Sequence, residues 1–203
     1  MILDWSSFGP AILGAISGGL ITGWFSMKAT STSFENQQKQ LDDSEKKLIS
    51  GLLQALHDEI ETVYERYQDI MGARLETLPD GEALTFYYPL VSDFFTVYNG
   101  NSFLIGRIPS NDLRKQIIKT YTLAKGIVDS FRLNNDLVGK FELANKIYEE
   151  SQQEIHKQQA IAHYKSLIEY AKNLKTTHSE LKREVSKLLR ELRKNGVLDE
   201  KDS

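Results

Sequence analysis

Leu167, Leu174, Leu181 and Leu188 stand seven residues apart, and Ala171, His178, Val185 and Leu192 fill the alternate positions. Such spacing is the seam of a coiled-coil type of helix, so it commits the stretch from about 153 to 194 to one long helix. Gly196 then supplies a terminator. Two further stretches carry apolar residues at helical intervals. The first runs from about 34 to 73 through Leu41, Leu48, Leu52, Leu56, Ile60, Val63, Tyr67 and Ile70, and Pro79, Asp80 and Gly81 end it. The second runs from about 110 to 150 through Leu113, Ile117, Tyr121, Ala124, Ile127, Val128 and Phe131, with Ser110 or Asn111 as N-cap. Asn134, Asn135 and Gly139 are weak helix formers and predict a kink or short break there.

Each stretch is about 40 residues, or ~60 Å of helix. Matched lengths predict an all-α protein, with an antiparallel bundle of three long helices over 34–196 and a disordered tail at 197–203. Charge bears on the pairing. Residues 35–71 hold nine acidic and four basic side chains, and 172–194 hold eight basic and three acidic. Asp58, Glu59, Glu61, Glu65 and Asp69 crowd the end of the first helix. Lys182, Arg183, Lys187, Arg190, Arg193 and Lys194 crowd the end of the third. If the segments near 73–109 and 151–153 each reverse the chain once, these two helices are parallel and their charged ends meet. That places Glu61, Glu65 and Asp69 near Lys182, Lys187 and Arg190, with the middle helix antiparallel to both.

Before the bundle lie 23 residues without a formal charge, from Trp5 to Met27. About 20 such residues span the hydrocarbon layer of a bilayer as a helix. Asp4 stands where a signal peptide needs a positive charge, and no good cleavage site follows. The expectation is an uncleaved transmembrane helix over 1–27, followed by a short polar linker, 28–33. Lys28, Lys39, Lys46 and Lys47 lie on its C-terminal side only, so the rest of the chain is expected in the cytoplasm, at the inner (plasma) membrane. Gly14 and Gly18, and beside them Ala11, Ala15, Gly19 and Gly23, form rows of small residues at intervals of four. Such rows let helices approach closely in lipid, so Gly14, Gly18, Gly19 and Gly23 are the expected packing face. The expected partners are the lipid bilayer and either a second copy or another membrane protein.

The connection 73–109 contains Phe86, Tyr87, Tyr88, Phe94, Phe95, Tyr98 and Phe103, seven of the chain's 20 aromatic residues. Ser92 and Gly100 would bound a short helix within it, and the strand-like run 84–88 is the weakest point of an all-helical reading. Its rings either close a flank of the bundle or offer a contact surface. Tyr88, Asp93, Phe94, Phe95, Tyr98 and Asn99 are the candidates for that surface, with Asn101 and Arg107 as further polar members.

Nothing in the sequence carries a recognisable reaction. There is no cysteine, which removes thiolate chemistry and disulfides. The four histidines lack metal-site spacing: none has Glu three residues before it, and no His-Glu-x-x-His occurs. No phosphate-binding loop and no serine-nucleophile motif is present. The expectations are therefore no catalytic residues, no metal and no cofactor. A net charge of −3 gives no reason to expect nucleic acid, and Glu180, Glu184 and Glu191 among the bases of the last helix read as a paired or solvated face.

The run 93–131, with an aromatic residue before Tyr98-Asn99, then Leu104-Ile105-Gly106, then a capped helix bearing Tyr121, resembles a group of small uncharacterised bacterial or prophage proteins. These carry one N-terminal membrane helix and a cytoplasmic helical domain. The resemblance implies that layout and no activity. The function expected is a membrane-anchored helical interaction or scaffold protein. The alternatives are an envelope-spanning structural or lysis-type coiled coil, and a sensor or enzyme with a pocket at the aromatic segment.

Overall fold

A computed structural model describes residues 5–89, 94–195 and 197, with the side chains of 5–23 outside the description. The described chain is helical, without a strand. Helix α1 is Trp5–Tyr67, continued by one π turn at Gln68–Gly72 and by α2, Ala73–Thr77. Two short helices follow, α3 (Thr96–Gly100) and α4 (Ser102–Ile105), and then the long pair α5 (Asn111–Ser151) and α6 (Glu154–Lys194). The run 84–88 is irregular, so it makes no strand.

The chain divides into two compact units, Met1–Leu48 and Ile49–Ser203. This moves the expected bundle boundary from 34 to 49. The expected linker 28–33 is helical and lies within α1. Its Thr30 and Thr32 hydroxyls bond back to the Ser26 and Lys28 carbonyls, which spares them from competing with the helix. Among the described residues no helix is long and apolar enough to cross a membrane. The uncharged stretch read as a span falls mostly within 5–23, and the packing face Gly14, Gly18, Gly19 and Gly23 lies there too, outside the described side chains.

In the second unit every member of the seven-residue seam of α6 is buried, from Leu167 to Leu192. Ser110 caps α5 by accepting from the Leu113 N–H at 3.2 Å. The α5–α6 turn is tight, with Gln152 in the left-handed region at φ 52°. α5 does not break at Asn134, Asn135 or Gly139. Asn134 is buried and donates to the Leu84 carbonyl at 3.2 Å, and Asn135 pairs with both the N–H and the carbonyl of Tyr88. These amides leave α5 intact and serve the neighbouring chain. Val197, expected in a disordered tail, is buried against the core; Gly196 and 198–203 are not among the described residues.

The pairing of the long helices differs from the expectation. Glu61 meets Arg193 at 2.8 Å, Tyr67 meets His178 at 2.9 Å, and Glu76 meets Lys182 at 2.6 Å. From Glu61 against Arg193 to Tyr67 against His178, rising numbers on the first helix meet falling numbers on α6; beyond it Glu76 and then Asp80 meet Lys182 and then Lys175, so the two runs are antiparallel. The α5 pairings run the other way. Leu56 and Glu59 meet Tyr121, and the Tyr67 ring packs tilted against Phe131, so the bundle part of α1 and α5 are parallel. The reason is the length of the connection. The described parts of the connection, 78–89 and 94–110, do not turn once; they lie back along the bundle, from Asp80 beside Lys175, past Tyr88 beside Asn135, to Phe95 and Tyr98 against Tyr121. The segment is a fourth, irregular leg, and two reversals occur where one was expected.

Candidate functional site

The fourth leg encloses a cavity of about 440 Å³ with the three long helices. Val63 and Tyr67 of α1, Ile127 of α5, Val185 of α6, and Tyr88 and Phe95 of the connection are among its walls. Its polar members are Thr62, Tyr64, Arg66 and Tyr67 on α1 and Tyr88 on the connection. Apolar walls with a handful of placed polar groups are the usual make-up of a small-molecule site.

The connection holds its place by backbone capture. The Glu59 carboxylate accepts from the Val97 N–H at 2.6 Å and the Tyr98 N–H at 3.0 Å, the free first donors of α3. It also accepts the Tyr121 hydroxyl at 3.1 Å. Phe95 has φ 68° and ψ 43°, a left-handed conformation that is an outlier for a bulky residue. Its ring is buried edge-on against Tyr121 at 5.4 Å, and that burial holds the conformation.

Beside the cavity lies a polar line that the sequence did not announce. The Tyr67 hydroxyl and His178 Nδ1 are 2.9 Å apart, and His178 Nε2 and Glu76 Oε1 are 3.0 Å apart. Lys182 and Gln68 complete the Glu76 shell at 2.6 and 3.2 Å. The Lys182 hydrogen bond first, then those of His178 and Gln68, hold the Glu76 carboxyl down at about 2. An ionised Glu76 accepts from the Nε2–H of His178; Nδ1 then accepts from Tyr67, an assignment made from the network. The π turn Gln68–Gly72 brings the line together. A Cβ at Gly72 would displace the Gln68 amide and lie 3.1 Å from His178 Cε1, so glycine leaves room here for the Gln68 side chain. π turns recur at functional sites.

The groups of the line are bonded to one another, and Tyr67 is its member that also borders the cavity. Burial foremost, with Tyr64 and Tyr88 nearby, pushes the Tyr67 hydroxyl far above its ordinary value, so it stays a phenol. Burial likewise raises Tyr64, to about 12, and Tyr88. Among the described residues no group of three or more His, Asp or Glu is placed to hold a metal.

Of the expected contact surface, Tyr88 and Phe95 are buried, and Phe94 and Tyr98 are half-buried. Tyr98 stacks on Tyr121 at 4.1 Å, and Asn99 is tied to Lys125 at 2.6 Å. Tyr88 and Phe95 thus face the core, while Asn99 is exposed; Asp93 is not among the described residues. What sequence reasoning missed is the Tyr67–His178–Glu76 line. Tyr67 and His178 were both visible as buried-face positions, but nothing in either helix alone says that they meet.

No known protein family, characterised protein or solved structure matches this chain.

Proposed function

We propose that this chain is a membrane-anchored, non-catalytic helical binding protein, bacterial or from a prophage, whose bundle takes up a small apolar molecule. The observation that carries the binding role is the 440 Å³ cavity, whose walls are mostly apolar, with Thr62, Tyr64, Arg66, Tyr67 and Tyr88 as its polar members among the described residues. The polar positions favour a molecule with an aromatic or branched apolar body and one anionic or hydrogen-bonding end directed at Arg66. The phenol form of Tyr67 and the lack of an activated nucleophile among the described residues support binding over chemistry. The anchor is supported by the 23 uncharged residues from Trp5 to Met27 and by the lysines that follow them. With the N-terminus outside, the binding unit is cytoplasmic.

Naphthalene-2-sulfonate and naphthalene are suitable probes, titrated by calorimetry against the full chain in lipid nanodiscs. One site per chain is expected. The paired substitution Val63→Phe and Ala124→Leu, which fills the cavity, should abolish that site. Arg66→Gln should weaken the sulfonate and spare the neutral probe. Equal uptake by the native chain and the filled variant would contradict the reading.

A second reading, a scaffold for another protein, is favoured by the exposed Leu143, Ile147 and Ile155 on either side of the α5–α6 turn. Under it, Leu143→Glu and Ile155→Glu would abolish function while leaving probe uptake intact.

A further inference from the structure

We infer that the first unit pairs with the same segment of a second copy, parallel and in register, along the stripe Met27, Phe34, Leu41 and Leu48. These residues are seven apart and face solvent, at 76, 66, 65 and 49% exposure. One large apolar residue per seven, kept over four repeats, is the period of a left-handed two-stranded coil and not of a lone helix. A membrane cannot cover the stripe beyond Met27. The proposed span ends at Met27, and Leu41 and Leu48 lie roughly 21 and 32 Å further along the helix at ~1.5 Å per residue. Something in water must cover them.

The partner must present the same period on an open face. α6 has that period, but Leu167, Leu174, Leu181 and Leu188 are already buried inside the bundle. Among the described residues only α1 itself presents it, so a second copy of α1 is the matching surface. The alternate seam positions are Thr30, Gln37, Ser44 and Gly51, all small or uncharged. The Thr30 and Ser44 hydroxyls are satisfied by the carbonyls of Ser26 and Gln40 in their own helix, so covering them strands no donor. In register, Gln37 meets Gln37 of the other copy, and one polar pair in an apolar seam fixes alignment. Across a parallel pair the flanking positions match Ser33 with Gln38 and Gln40 with Glu45, which sets no like charges together. In sequence the same interval extends back to Leu20 and Leu13, inside the proposed span. Pairing itself does not depend on the anchor; the parallel direction follows from two anchors in one bilayer.

The cysteine-free chain allows a direct test. Single substitutions Phe34→Cys and Leu41→Cys go on the stripe, and Glu35→Cys and Lys39→Cys go off it; all four are exposed positions that leave the bundle core alone. Each full chain is oxidised with copper phenanthroline in nanodiscs and run on a non-reducing gel. Both stripe variants are expected to form disulfide dimers several-fold faster than the off-stripe pair. Two results overturn the inference: equal rates at all four positions, or dimers that form only when the Phe34→Cys and Leu41→Cys chains are mixed, which marks antiparallel pairing. Naphthalene-2-sulfonate uptake by the same samples reports on the cavity separately, so loss of one role is distinguished from loss of the other.

Discussion

The Glu59 carboxylate of α1 accepts the Tyr121 hydroxyl of α5 at 3.1 Å, and the same carboxylate takes the Val97 and Tyr98 N–H groups of the connection. One side chain thus joins three legs of the bundle. Glu59→Ala leaves the Val97 and Tyr98 N–H groups without their acceptor in a half-buried setting, while the Tyr121 hydroxyl keeps the Leu56 carbonyl, at a cost of about 2–4 kcal/mol. Glu59→Gln keeps an amide oxygen for part of the set and should cost about half as much. Thermal unfolding followed by circular dichroism measures both, and equal midpoints for the Ala variant and the native chain would show that the capture is not stabilising.

Asn135 gives a prediction whose sign separates two readings. As a poor helix former in α5, it would stabilise the protein when replaced by Ala, by about 0.5 kcal/mol. As the partner of Tyr88, through bonds of 3.0 and 2.9 Å, it should destabilise when replaced, by about 1–2 kcal/mol. Asn135→Ala is expected to lower the unfolding midpoint and to speed hydrogen exchange at the Tyr88 amide, because the cavity wall loses its tether.

Acid should unfold this protein by way of two carboxylates. Glu184 is buried between α5 and α6, and hydrogen bonds from Gln116 first and Lys119 next hold it at about 2. Glu76 is held at about 2 by Lys182, His178 and Gln68. An unfolded Glu titrates near 4.3, so each is depressed on folding. Their contribution is fully present above about pH 5 and is lost as pH falls toward 2. Glu184→Gln should flatten the fall in unfolding midpoint between pH 5 and 2. An unchanged slope would mean that Glu184 is not linked to folding.

The periodic parts of the fold were legible in the sequence, since they depend on local spacing. The α6 seam, the Ser110 cap and the lengths of α5 and α6 all follow from residues within one helix. The direction of packing was not legible, because opposite charge attracts in either orientation. Nine acids and eight bases favour contact between two helices without saying which ends meet. Asn134 and Asn135 misled for a related reason: helix propensity speaks of one helix, and the Leu84 and Tyr88 backbone they satisfy is about 50 residues distant in sequence. The aromatic connection read equally as plug or surface, and only the path of 78–110 decides that Tyr88 and Phe95 face inward. The stripe from Met27 to Leu48 was in plain view as a seven-residue interval, but its exposure was not.

The cavity exists because the fourth leg returns between α1, α5 and α6, and that return makes α6 antiparallel to both. Carbodiimide coupling tests this most directly, since it joins a carboxylate to an amine only where they touch. Lys182 lies 2.6 Å from Glu76, Lys175 lies 2.6 Å from Asp80, and Lys119 lies 2.9 Å from Glu184. Mass spectrometry of the full chain after coupling should find Glu76 joined to Lys182, Asp80 to Lys175 and Glu184 to Lys119, with the lysine number falling as the acid number rises from 76 to 80. Coupling of Glu76 or Asp80 to Lys187 or Lys194 in place of these, with Glu61 joined to Lys175, would make α6 parallel to the first helix and contradict the account.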